Sequence, residues 1–171
     1  MNDYYDYGTG YSSLFGAMVA IYFALLGFAL VFGVLYYILS ALAFSRLFKK
    51  LGIEGWIAWV PVYNTWKWLE LGGQQGWLAL LLLVSPAGIV TLVFVLIASY
   101  RIGKAFGKGG EWTILAYFLS PLWAFLLSRP EEVYRPETYA QFGWTPPLAG
   151  FGSVPAGAAP YYPPAAPPPA A

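Results

Sequence analysis

From Leu14 to Ser45 the chain carries no charged side chain. At a rise of about 1.5 Å per residue, a helix of this length more than crosses a hydrocarbon layer of about 30 Å. Trp77 to Tyr100 and Trp112 to Ser128 are two further uncharged runs. The pattern therefore predicts helices whose solvent is a bilayer, in which backbone groups must be satisfied within the chain. A fourth stretch, Gly55 to Leu71, is denser in polar groups. Its four Trp, one Tyr and one Pro suit either the headgroup level, as an interfacial or re-entrant segment, or a crossing bent at Pro61. In a crossing, Asn64 is the nearest polar partner for the carbonyl freed at Pro61, and Lys67 and Glu70 lie three apart on one face and pair near the boundary.

The expected fold is thus all-α, a polytopic helical membrane protein with about four membrane helices: 14–45, 55–71, 77–100 kinked at Pro86, and 112–128. Three topologies compete. In one, 55–71 crosses and both termini lie outside, with the basic loops 46–50 and 101–108 inside. In another, 55–71 stays at the interface, which strands Arg101, Lys104 and Lys108 outside. In the third, 77–100 is a re-entrant hairpin folded at Pro86. The positive-inside rule favours the first and third, and the length of the uncharged run favours a full crossing, so the four-helix arrangement is preferred. The expected arrangement is multi-pass, with the N-terminus and the C-terminus both outside.

The flanks differ from this core. Residues 1–13 are a short polar, Tyr-rich tail with Asp3 and Asp6 and no Lys or Arg, unlike the basic opening of a secretory signal, so the first helix reads as a retained anchor. Residues 14–129 form the expected membrane domain. From Pro130 to Ala171 eleven of the fourteen prolines appear, which predicts a disordered or polyproline II tail acting as a spacer or a docking segment.

Spacing adds detail within the apolar runs. Gly16, Ala20 and Ala24, then Ala29 and Gly33, recur every four residues and line one face, for packing within the chain or against a second copy. A Trp followed by eight residues and a Pro occurs at Trp77–Pro86 and again at Trp112–Pro121, pointing to a shared mid-helix break. Arg46, Lys49 and Lys50, and likewise Arg101, Lys104 and Lys108, fall on one side of their segments and suit lipid phosphates.

Composition removes much chemistry. Hydrophobic residues make up 59% and charged residues 10%, and neither Cys nor His occurs. Thiol nucleophiles, imidazole bases and ordinary zinc sites are excluded, and no enzyme, cofactor, metal site or nucleic-acid partner is expected. The expected partners are the lipid bilayer and a membrane protein or a second copy of the chain. The candidate intramembrane polar site is Asn64, Lys67 and Glu70.

The strings GIEGWIAWVPVYNTW, ELGGQQGW, SPAGI, AFGKGGEW and LSPLW resemble a bacterial family of small integral-membrane domains of unknown function over roughly Arg46 to Leu127. Some chains of that family are labelled signal-peptidase-like because a peptidase domain accompanies the membrane domain. That label does not transfer, since no extracytoplasmic domain with a Ser nucleophile and a Lys base follows Ser128. The resemblance supports the architecture, implies a plasma membrane as the location and carries over no catalytic residue. A non-catalytic scaffold or accessory role in the envelope is the preferred expectation, and a small transporter, channel or lipid-binding protein built on kinked helices is the alternative.

Overall fold

The computed structural model describes residues 7–84 and 86–150, with side chains described from Leu14 onward. These residues are all-helical and contain no strand. They divide into two compact units, Met1–Ile38 and Leu39–Ala171.

Helix α1, Tyr7–Lys50, supplies the whole described part of the first unit. Every residue from Leu14 to Leu39 is exposed. A Cβ built on Gly16, Gly27 or Gly33 would meet nothing within 4 Å, so the small-residue face has no partner helix within this unit. Leu26, Ala29, Leu30, Gly33, Val34 and Tyr37 line a shallow concavity along it.

The second unit is built differently. The last turns of α1, from Ala41 to Leu51, alternate into a buried face of Ala41, Ala43, Phe44, Leu47, Phe48 and Leu51. Three elements then follow that each run out, break and return. A 3-10 segment, Gly55–Trp59, is followed by α2, Pro61–Leu71. A second 3-10 segment, Gly76–Leu83, is followed by α3, Gly88–Ala105. Helix α4, Glu111–Phe118, is followed by α5, Ser120–Leu127.

The breaks have a common cause. Val60 and Val84 are extended, and Leu119 leaves the helical region at φ −134°. Pro61, Pro86 and Pro121 follow closely, and a proline disfavours helical geometry just before it while suiting the first turn after it. Its missing N–H is one fewer donor to satisfy at an apolar helix start, where no side chain caps α2 or α5.

Local contacts establish that each element reverses. Leu78 accepts a 2.7 Å hydrogen bond from the Thr91 hydroxyl, and a Cβ built on Gly88 would lie 3.9 Å from Leu81 and Leu82, so Gly76–Leu83 folds back along the start of α3. Asn64 Nδ2 reaches the Ala58 carbonyl and Trp56 packs on Tyr63, which folds the first 3-10 segment against α2. Trp112 at the start of α4 lies against Gly103, while Leu127 at the end of α5 accepts a bond from Lys50, whose ammonium lies 5.4 Å from the Phe106 ring. Both ends of α4–α5 therefore return to one place. Phe44, Trp68 and Trp123 pack together at the centre, Trp68 and Trp123 with ring centroids 5.6 Å apart.

The end of α1 and helices α2, α3 and α5 consequently all finish at one end of this unit, which we call its base. Three of the four close alike, with a glycine at positive φ: Gly52, Gly73 and Gly107. The next N–H in each case bonds five residues back, Ile53 to Phe48 at 2.8 Å, Gln74 to Leu69 at 2.9 Å and Lys108 to Gly103 at 2.9 Å. This is a Schellman stop, and it turns the chain sharply into the next outgoing element.

Two expectations are corrected here. The run 77–100 is a 3-10 segment that ends at Leu83 and folds back along a helix that begins at Gly88, not one helix kinked at Pro86; the geometry is that of the hairpin weighed against the crossing. The runs 55–71 and 112–128 are likewise each divided, so among the described residues the helices long and apolar enough to cross a membrane are α1, from Leu14, and α3. Second, residues 130–150 are folded. Tyr139, in the short helix α6 (Thr138–Gln141), is fully buried, its hydroxyl donates 2.8 Å to the Leu71 carbonyl, and Leu148 N donates 2.8 Å to the Glu70 carbonyl. Buried aromatic area and backbone pairing hold this segment across the base despite its prolines. The rest of the expected tail, 151–171, lies outside the described residues.

Candidate functional site

The polar residues of α2 form a closed set. Lys67 Nζ pairs with Glu70 Oε2 at 2.7 Å, and Trp66 Nε1 donates 2.6 Å to the other carboxylate oxygen. The Lys67 ammonium lies 5.6 Å from the Tyr63 ring centre. The Trp66 ring in turn covers Gly76, where any side chain would collide with it. Asn64 sits one turn closer to the tip; its amide donates to Ala58, while its Oδ1 is buried without a hydrogen-bond partner. The structure thus brings Lys67 and Glu70 together and leaves Asn64 beside the aromatic core. The indole N–H groups of Trp68 and Trp123 are buried there without hydrogen-bond partners as well.

The two basic groups converge at the base, and most of their members engage the chain itself. Lys50 donates to the Leu127 carbonyl at 2.9 Å and also to the Arg129 carbonyl. Arg101 Nη1 donates 3.2 Å to the Gly72 carbonyl, and its guanidinium lies over the Trp144 ring at 5.5 Å. Lys108 pairs with Glu132 at 2.6 Å and lies 4.7 Å from the Trp112 ring centre. Lys104 lies over Tyr100 and Arg46 over Phe125. Lys49 and Arg46 are exposed. Four parallel helix C-termini concentrate partial negative charge at one end, and these cations offset it.

The opposite end is apolar. At the three reversals Leu83, Ile89 and Phe118 are 71%, 69% and 70% exposed, and Trp59, Val60, Val84, Leu119 and Leu122 are exposed beside them. No charged residue occurs in 55–66, 77–100 or 112–128.

Sequence reasoning missed two parts of this arrangement. The role of Tyr139 and Trp144 in covering the base was hidden by the surrounding prolines, although PETYAQFGW is conspicuously aromatic for a spacer. The Schellman glycines were visible as Leu-Gly, Gly-Gly and Phe-Gly steps ahead of each Trp, and could have signalled three repeated turns.

The second unit is a helical module with a charged, capped base and apolar tips, and the described part of the first is a long exposed apolar helix. Residues 56–135 match a family of unknown function (DUF5684). No curated protein and no solved structure matches the chain.

Proposed function

We propose that the chain is a non-catalytic integral membrane protein of the bacterial envelope, in which α1 is a membrane anchor and residues 39–150 are an accessory module held at the membrane. The observation that carries this reading is the contrast within α1. Residues 14–39 are uncharged and exposed, whereas the turns from Ala41 onward form the core of the second unit. An exposed apolar surface of that length has a natural solvent in lipid. The N-terminus, free of basic residues, then lies outside and the Lys49–Lys50 end inside.

The accessory role draws support from how the acids are used. Glu70 is held by Lys67 and Trp66, Glu132 by Lys108, and Glu54 by the Trp56 indole. Each neutralises or orients a neighbour, which leaves no pair of carboxylates free for acid and base roles among them. The same closure weakens a transport role for Asn64, Lys67 and Glu70, because a translocation site needs its polar groups available to a solute.

The test is carbonate extraction of membranes, followed by native purification of the full chain and of a chain ending at Gly150, the last residue of the folded cap. Retention in the carbonate pellet together with a protein co-purifying with the full chain supports the reading. Release by carbonate overturns the membrane assignment. A solute flux that Glu70→Ala abolishes without loss of folding overturns the accessory role.

A further inference from the structure

The surface that calls for a partner is the apolar end of the second unit. Leu83, Val84 and Ile89 stand at one reversal and Phe118, Leu119 and Leu122 at another, all exposed and with no charged residue in either run. Contiguous apolar surface of this kind marks a docking face. The base at the other end carries the Lys50, Arg101 and Lys108 contacts and the 130–150 cap.

We infer that residues 39–150 are a re-entrant module whose tips dock into the acyl region of the leaflet on the Lys49–Lys50 side, so that α1 makes the chain's single crossing and the C-terminal segment stays on that same side. This rests on the membrane reading above and replaces the four-crossing arrangement expected from the sequence.

Three observations select lipid as the occupant. The first is depth. A Cβ on Gly72 would collide with Ala98, which fixes Ala98 at the level of the α2 C-terminus, at the base. From Gly88 to Ala98 a helix rises about 15 Å, half of a hydrocarbon core of about 30 Å. Helix α3 is long enough to cross, but the segment before it returns along it, so the pair enters and leaves on one side.

The second is the length of the anchor. Residues 14–38 give about 37 Å at about 1.5 Å per residue, which crosses the core with about 7 Å to spare. The turns from Leu39 onward are therefore free to serve the module's own core.

The third is charge. A single crossing places Arg46, Lys49, Lys50, Arg101, Lys104 and Lys108 all on one side, as the positive-inside rule requires, without assigning any of them to the outer face. Exposed Arg46 and Lys49 then meet anionic headgroups at the rim.

The absence of cysteine makes the test direct. Single-cysteine variants Ser12→Cys, Glu131→Cys, Ser153→Cys and Leu83→Cys are made in the full chain. The first three are labelled in intact cells and in inverted membrane vesicles with a membrane-impermeant maleimide. Leu83→Cys carries an environment-sensitive fluorophore in vesicles of phosphatidylethanolamine and phosphatidylglycerol that contain acyl-chain nitroxide lipids. Expected are labelling of Glu131→Cys and Ser153→Cys from one side, labelling of Ser12→Cys from the other, and quenching of the Leu83 fluorophore by shallow nitroxides. Labelling of Ser153→Cys from the Ser12 side restores further crossings and overturns the proposal. An unquenched fluorophore on a carbonate-resistant chain means that protein covers the tips, which overturns lipid docking while leaving the anchor intact. Release of the chain by carbonate is the separate failure of the membrane reading itself.

Discussion

The ammonium of Lys50, at the end of α1, donates a 2.9 Å hydrogen bond to the carbonyl of Leu127, the last residue of α5, 77 positions away. Arg101 does the same for the Gly72 carbonyl that follows α2. Helices that finish side by side present orphan carbonyls and aligned dipoles to one another, and each of these cations answers a neighbour's terminus.

Lys50→Ala is therefore expected to destabilise the second unit by about 1–2 kcal/mol, the scale of a charge-assisted bond at a helix C-terminus. Lys49→Ala, a change at an exposed neighbour, is the control and is expected within about 0.5 kcal/mol of the parent. Thermal unfolding of both in mild detergent decides. Equal midpoints would mean that Lys50 serves only the headgroups.

Thr91 gives the second prediction. Its buried hydroxyl donates to Leu78 and ties the outgoing segment to α3. Thr91→Val keeps the shape and removes the donor, at a cost of about 0.5–1.5 kcal/mol for the lost hydrogen bond. Thr91→Ser retains the hydroxyl and is expected to recover most of that loss. Thermal midpoints in mild detergent should fall in the Val variant and recover in the Ser variant.

How much of this was readable before the structure differs from element to element. Absence of charge over 14–45 marked the long apolar helix, and the Trp-to-Pro spacing at Trp77 and Trp112 marked two breaks that share a position in the fold. Whether a break bends or reverses was not readable. An uncharged run looks the same straight or folded, because the period that distinguishes a core face from a solvent face vanishes when both are apolar. The fold-back of Gly76–Leu83 on α3 is decided by contacts such as Leu78 with Thr91, and the cap by Tyr139 reaching Leu71 across 68 positions. Of the candidate residues, the Lys67–Glu70 pair followed from helical spacing alone. The engagement of Lys50, Arg101 and Lys108 depended on which chain ends meet at the base, which no local pattern records.

Tyr139 supplies a pH-dependent prediction. Burial, and after it the neighbouring Tyr134, pushes its phenol well above the ordinary 10.0, with Arg101 acting the other way. In the unfolded chain the phenol ionises from about pH 10, while in the folded chain it keeps its proton. The stability it contributes is fully present below pH 10 and is lost as pH rises from there toward the folded value. Melting midpoints of the full chain between pH 8 and 11 should thus fall more steeply than those of Tyr139→Phe. At pH 8 the Phe variant should itself be weaker by about 1–3 kcal/mol, since the Leu71 carbonyl loses its donor. Parallel pH profiles would show that the phenol does not govern the cap.

Gly73 and Gly107 separate the backbone cost of a helix stop from the packing cost of the cap. Both have positive φ, 69° and 70°, and both close a Schellman turn. A Cβ on Gly107 would meet nothing within 4 Å, so Gly107→Ala carries the left-handed penalty alone, about 1–2 kcal/mol. A Cβ on Gly73 would collide with the Thr145 carbonyl, which belongs to the 130–150 segment. Gly73→Ala must therefore pay the same penalty and also push that segment away. The excess over Gly107→Ala, read from thermal midpoints, measures how tightly 130–150 is held. It is expected to exceed 1 kcal/mol, the usual lower end for overpacking, and to shrink to nothing when the chain is ended at Ser128. Equal costs in the full chain would mean that the segment lifts from Gly73 freely and that the cap is held elsewhere, at Tyr139 and at the 2.8 Å bond from the Arg135 N–H to the Ala105 carbonyl.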